Sequence, residues 1–438
     1  MVRSMKKNYG LEFIFLLFGS GMIFYQLFPP IVVSLTSMAF FTFCFYSLKA
    51  RYSVIETLVL LTIIGIPTSM ISILGISYSI FPLTWYTTFI LCSIFLIILT
   101  GKLRKSYFLS ITFFAIIEFT LCLMANSFTD AMKQYLMIIS FLFVFFIGEY
   151  LKVNVKNDCF YNDLRFLYLI GVFCVANQVL FQKFYILITG SVIGHYIIMG
   201  QSRVAYGGIM GDFSFATLYL ASGCLLILLL YLNDKRFKFW LFFISESFLL
   251  LSMLVVSSRT GIVSLVITVV LYFIFNFKKI PKRMLVVLAL GCTGVPILID
   301  KILSSRGGQA LLETSGRSEN YLQSITFWLE KPLFGYGLGL ENLYHSTGLA
   351  VPHNFFIQYL LQMGLVGLFL IIIPFIIFIT NDVLRNNYSK WLFLLVVIGS
   401  MFIPDIVSSR FLYGIVLLCT IENRMFDYNN LEVLKSET

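Results

Sequence analysis

Apolar runs close to or above 18 residues, almost free of charge, recur along this chain from residue 11 to residue 421. That is the length needed to cross a hydrocarbon layer of about 30 Å. A water-soluble core cannot hide so many uninterrupted segments. The chain is 59% apolar and only 12% charged, with a mean hydropathy of +0.92. The strands of a membrane barrel would alternate apolar with polar residues, and these runs do not. The sequence therefore predicts an all-α, polytopic transmembrane helical bundle of about 12–14 spans, with residues 1–438 as a single integral membrane domain. Arg3, Lys6 and Lys7 before the first apolar run resemble a signal peptide. No small-residue cleavage site follows and many spans do, so the run reads as the first helix.

Spans are expected at about 11–28, 31–48, 54–75, 81–100, 107–125, 132–150, 164–188, 213–232, 239–256, 260–277, 284–300 and 354–380. A last apolar block, 391–421, is broken by Pro404, Asp405 and Arg410, and reads either as two short helices or as one span and a partial one. With the N-terminus in the cytoplasm, 22 of the 31 Lys and Arg fall in inside segments and every inside loop is basic, as the positive-inside rule requires. The net charge of +10 is thus mostly a topology signal. The basic loops lack interleaved aromatics, and no nucleic-acid partner is implied.

Nine basic residues break the bias: Lys133, Lys183, Arg203, Arg259, Lys301, Arg306, Arg317, Lys331 and Arg410. Two outer segments are long, at about 189–212 and 301–353. Arg203 precedes Gly207, Gly208 and Gly211, where the backbone can bend before the next span, and Asp212 or Ser214 can cap that helix. Arg203 either grips an anionic group or meets lipid phosphate. Arg259, in the turn Ser257-Ser258-Arg259-Thr260-Gly261, either faces a polar cavity or snorkels to headgroups. Arg317 opens a stretch in which Tyr321, Leu322, Ile325, Trp328 and Leu329 recur at helical spacing. This predicts an amphipathic helix lying on the outer membrane surface and stopped by Pro332. A basic residue at a helix start costs roughly 0.3–1 kcal/mol, a sign that a bound anion would reverse. The alternative is a solvated loop arginine.

Gly335-Tyr336-Gly337-Leu338-Gly339 is a glycine turn, too short for a nucleotide fingerprint and just as readable as a hinge. His353 stands before Asn354, a fair N-cap, and about 26 apolar residues. At the positive end of a helix an imidazole is held neutral, the form a general base needs, although a lone histidine is as easily structural. His345 lies mid-loop and His195 has the weakest placement. Eight cysteines stand singly, nearly all in apolar runs, and read as small core hydrophobes. No zinc, serine-hydrolase or phosphate-loop motif is present, and the outer acids are dispersed, so neither a metal nor a cofactor is expected.

The pieces QSRVAYGGIMGDFSFATLYLA, SSRTG, SGRSENYLQSITFWLEKPLFGYGLGLE and PHNFFIQYLLQMGLVG, in this order, resemble the O-antigen ligase and polymerase superfamily of bacterial membrane glycosyltransferases. The resemblance covers roughly 200–380 by motif and implies a GT-C-like fold. It implies metal-independent, inverting transfer of an oligosaccharide from undecaprenyl diphosphate, at the outer face of the bacterial cytoplasmic membrane. On this reading Arg203, Arg317 and, less directly, Arg259 bind the diphosphate, and His353 acts with Arg317 at the reacting centre. Tyr336, His345 and Asn354 are further candidates for substrate contact. The leading expectation is a repeat-unit polymerase making O-antigen, capsule or exopolysaccharide, with a chain-length regulator protein as partner. A ligase moving glycan to a lipid core or protein is the second, and a lipid-linked oligosaccharide flippase the third. The absence of an internal repeat counts against the flippase.

Overall fold

The chain is described by a computed structural model covering residues 9–100, 107–155, 158–199, 203–233, 238–277, 317–385 and 389–422. The span expected at 284–300 and the first part of the long outer segment lie outside these. The described helices are α1 (Tyr9–Gly21), α2 (Pro30–Lys49), α3 (Val54–Gly65), α4 (Trp85–Leu99), α5 (Phe108–Leu123), α6 (Phe128–Asn154), α7 (Asp158–Thr189), α8 (Phe213–Asn233), α9 (Phe239–Val256), α10 (Arg259–Asn276), α11 (Arg317–Glu330), α12 (Leu340–Thr347), α13 (Phe355–Phe378), α14 (Ser389–Ser400) and α15 (residues 410–422). Between α7 and α8 the chain forms a short antiparallel hairpin of β1 (Tyr196–Met199) and β2 (Arg203–Tyr206), with Met199 opposite Arg203. Sequence alone gave no sign of this hairpin.

Eight described helices are long and apolar enough to cross a membrane, and four shorter apolar helices accompany them. The protein is a multi-pass membrane protein. Its outward faces carry Phe13, Leu17, Trp240, Ile244, Phe369 and Ile376, all exposed. In water such a surface would aggregate, whereas in a bilayer it meets a solvent of its own polarity. Where helices start, local chemistry explains the register. Ser53 and Glu56 close a capping box on α3, Thr84 and Thr87 do so on α4, and Pro30 occupies the first turn of α2. The last apolar block resolves as the two-helix alternative: α14 and α15 join through a turn at 401–409, with Ser389 donating its backbone N–H to Glu422 (3.0 Å) at the far ends.

α8 is the centre. It packs on α7, α9, α10 and α14, and its apolar window is the most deeply buried of the eight. Small residues let it be so, since in lipid helix association relies on close van der Waals approach. A Cβ built on Gly261 of α10 would stand 2.3 Å from the Thr217 carbonyl oxygen of α8. The buried Tyr168 and Ser222 hydroxyls satisfy each other at 2.6 Å. At one end of the bundle charges pair: Arg51 with Asp163 at 3.1 Å, and Lys152 with Glu149 at 3.3 Å and with Asp382. Those basic residues belong to the loops that the charge pattern groups on one side.

Gly261→Ala should therefore force α8 and α10 apart and cost about 1–3 kcal/mol. Gly21→Ala, at a site with nothing within 4 Å, should be neutral. Thermal unfolding of both variants in detergent checks the contrast.

Candidate functional site

The opposite end of the bundle gathers the segments that are neither apolar nor regular. Segment 66–84 ties them together. Its Met70 lies against Gly211, just before α8. Its Ser79 carbonyl accepts from Lys133 of α6 at 3.0 Å, and its Tyr78 ring lies under Arg410.

α13 is not one continuous helix. Gly364 breaks it with φ 63° and ψ −166°, so Phe355–Met363 forms a half-helix at this end. The break would leave backbone groups unsatisfied inside the protein, and segment 332–337 takes them. Tyr336 and Gly337 donate their N–H groups to the Leu361 and Gln362 carbonyls (3.0 and 2.8 Å). Leu365 and Val366 donate to the Pro332 and Leu333 carbonyls (2.9 and 3.1 Å). Two glycines make the approach possible. A Cβ on Gly335 would lie 2.5 Å from the Leu361 carbonyl oxygen, and one on Gly364 would lie 2.4 Å from that of Leu333. The glycine turn is thus a clasp on a broken helix. Its Tyr336 hydroxyl donates to Glu330 at 2.8 Å, with the Lys331 ammonium 4.5 Å above the ring. Burial first, then Glu330, pushes that phenol up to about 12, so it stays protonated at neutral pH.

Asn354 caps the half-helix as its position in the sequence suggests, accepting from Phe356 and Ile357 N–H at 3.0 and 3.2 Å. His353 is therefore set just outside the positive end of a helix. The Tyr321 hydroxyl of α11 donates to the His353 carbonyl at 2.8 Å, and Asn320 donates to the Ala350 carbonyl at 2.8 Å. α11 begins at Arg317, one turn before Tyr321. Arg317 and His353 thus come from segments that are locked together. The apolar face expected for α11 is divided. Tyr321 and Trp328 are half-buried, whereas Leu322, Ile325 and Leu329 are exposed. His345 sits exposed in α12, at the far side of the clasp.

Next to the half-helix lies a network that sequence reasoning did not identify as a site. Asp405 accepts from the Tyr359 hydroxyl, the Ser408 hydroxyl and Gln134 Nε2 (3.2 Å), and holds a left-handed backbone at φ 41°. Gln134 in turn exchanges hydrogen bonds with Gln362 (3.1 Å each way) and accepts from the Gly339 N–H at 2.7 Å. Asn354 also donates to the Met401 carbonyl at 3.4 Å, so the α14–α15 turn abuts the cap beside His353. Arg410, at the start of α15, is buried beside the same turn. The signal in the sequence is Pro404, Asp405 and Arg410 in an apolar block, with Arg410 also among the basic residues that break the charge bias.

Arg203 and Arg259 occupy a second group at this end. Arg203 starts β2, and β2 packs on α7 and α9. Gln182 clamps the hairpin, donating to the Ile193 and His195 carbonyls (2.6 and 3.0 Å) and accepting from Gly208 N–H (2.9 Å). His195 lies 4.6 Å from the Phe213 ring, and burial lowers its pKa while Asp212 opposes that shift. Asp212 caps α8 through Ser214 and Phe215 N–H, as expected (2.7 and 3.0 Å). Arg259 begins α10, after Ser257 in the left-handed region at φ 61°.

Residues 247–372 match the Wzy_C family model, described as O-Antigen ligase. The match includes Arg259, Arg317, Tyr336, His345, His353 and Asn354, and leaves out Arg203, Asp405 and Arg410. No match is found among curated proteins.

Removing the Asp405 carboxylate tests the network. Asp405→Ala would strand the buried Tyr359 hydroxyl and take one partner from Ser408 and one from Gln134, which keeps Gln362; an unsatisfied buried polar group costs about 1–3 kcal/mol. The expected result is a clear fall in melting temperature, with a smaller fall for Asp405→Asn, which keeps an acceptor for one of the two hydroxyls.

Proposed function

We propose that the protein, whose residues 247–372 match the O-antigen ligase family model, polymerises undecaprenyl-diphosphate-linked oligosaccharide repeat units. The observation that carries this reading is the docking of α11, headed by Arg317, through Tyr321 onto the backbone of His353 at the capped end of a broken apolar helix. That arrangement ties the backbone of the segment that Arg317 opens to the backbone at His353, at the end of the bundle where a lipid-anchored head group would arrive. The site faces the outside of a bacterial cytoplasmic membrane, with the N-terminus in the cytoplasm, as the basic-loop pattern supports.

The chemistry follows from these groups. The acceptor hydroxyl attacks the anomeric carbon of the donor sugar from the side opposite the diphosphate. The carbon–oxygen bond to the diphosphate breaks with inversion. The hydroxyl proton passes to the neutral His353 imidazole, and the electron pair leaves with the diphosphate. Arg317 stabilises the charge that develops there, with Arg203 and Arg259 as further grips. A guanidinium offers an always-charged bidentate fork for phosphate and does so without a metal ion. Tyr336, His345 and Asn354 contribute positioning contacts to the glycan. A ligase would use the same steps with a lipid core or protein as acceptor.

The test is transfer by the purified protein in nanodiscs, given a polyprenyl-diphosphate-linked repeat unit. A ladder of products supports polymerisation, and transfer only after a core acceptor is added supports the ligase. No transfer under either condition would refute the enzyme reading. His353→Ala should reduce the rate about 10²–10⁴-fold, the usual range for a lost general base. Arg317→Ala should abolish the ladder with protein abundance unchanged. A chelator should leave the wild-type rate intact, and a loss restored by a divalent ion would disprove metal independence.

A further inference from the structure

Arg410 is a buried cation with no ion pair among the described residues. Its relative exposure is 8%, and its Nε is buried with no hydrogen-bond partner. One terminal nitrogen points at the Met137 sulfur at 3.6 Å, a weak acceptor. The guanidinium carbon lies 4.8 Å above the Tyr78 ring, a stacking that favours a flat cation. Among the described residues no carboxylate forms an ion pair with it. Asp405, five residues earlier, is turned to Tyr359, Ser408 and Gln134 instead.

Burying an arginine without an anion is unfavourable, and apolar residues of similar volume usually serve a core as well or better. Retaining it here therefore calls for a reason other than stability. Its position supplies one. The turn before Arg410 touches Asn354, next to His353, through Met401. The segment carrying Tyr78 touches Gly211, near the Arg203 hairpin, through Met70. Arg410 and Tyr78 thus lie on segments that each touch one of the two groups of candidate residues. Tyr78 is partly exposed, whereas Arg410 is buried.

We propose that Arg410 and Tyr78 form an oxyanion subsite for the lipid-linked glycan, taking either the diphosphate or a sugar carboxylate. The five donors of the guanidinium form a planar fork that matches both groups, and the tyrosine ring gives a sugar face something to stack on. The proposal rests on the lipid-linked-substrate reading above, and it adds a residue outside the segment that matches the family.

The experiment uses the full-length protein in nanodiscs as wild type, Arg410→Met and Arg410→Lys. Thermal unfolding is measured together with the affinity for three probes. These are sugar-free polyprenyl diphosphate, a polyprenyl-diphosphate-linked neutral oligosaccharide, and the same oligosaccharide carrying a hexuronate. The expected outcome is that Arg410→Met melts no lower than wild type and binds at least tenfold more weakly. Weakening towards all three probes assigns the diphosphate. Loss of only the advantage of the hexuronate probe assigns the carboxylate. Arg410→Lys, which keeps the charge and loses the fork, should fall between. Equal binding by Arg410→Met and wild type would overturn the proposal, and so would a lowered melting temperature in Arg410→Met, which would make the residue structural. Wild-type protein that binds none of the probes would refute the lipid-linked reading and the subsite together.

Discussion

A backbone break inside a membrane protein must be repaired on the spot, and the repair at Gly364 organises the polar end of this molecule. Hydrocarbon offers no water to stray carbonyls and amides, so irregular backbone survives only where protein covers it. Four hydrogen bonds between 332–337 and 361–366 do the covering. They fix the half-helix Phe355–Met363 against the segment that follows α11. Because Pro332 ends α11 and the clasp begins at the same residue, the position of Arg317 at the other end of that helix is tied to the position of His353. Tyr321 adds a second tie only a turn from Arg317. Two ties a few turns apart define an orientation, whereas either alone would leave a pivot.

The glutamine network extends the same logic sideways. Gln134, Gln358 and Gln362 are neutral and buried, and they can both donate and accept. Gln134 and Gln362 connect the clasp at Gly339 to Asp405 without introducing a charge, and Gln358 joins through Gln362. Asp405 then holds the α14–α15 turn in a left-handed conformation that a non-glycine residue adopts only with local support, here from Ser408 and Tyr359. The carboxylate is engaged by neutral donors and forms no ion pair with the neighbouring arginine, which meets the Met137 sulfur and the Tyr78 ring instead.

The membrane class was plain in the sequence because length and apolarity are direct requirements of a bilayer. Helix caps at Asn354 and Asp212, the stop at Pro332 and the start at Arg317 were also legible, since each depends on a few adjacent residues. The clasp was not. Gly335–Gly339 is as readable as a hinge because a glycine turn looks alike whether it moves or receives a second backbone, and its partner lies 25 residues away in the case of Tyr336 and Leu361. The hairpin at Tyr196–Tyr206 escaped for a similar reason: its strands are four residues each, and Gln182 on α7 holds it. Asp405 and Arg410 were visible as oddities in an apolar block, but only the fold shows that one is satisfied and the other is not.

The placement of polar chemistry at one end also bears on what kind of membrane protein this is. A carrier that moves a polar head group across hydrocarbon needs polar groups near the midplane, and carriers commonly place broken helices there. Here the break in α13 comes after nine residues of half-helix, and at about 1.5 Å per residue that is less than half the thickness of the apolar layer. On the far side of the break α13 continues without a polar residue from Leu365 to Phe378. A head group can therefore be received at one face, but α13 offers it no polar step towards the other. That geometry suits chemistry performed on a lipid-anchored substrate better than passage of the substrate across the membrane.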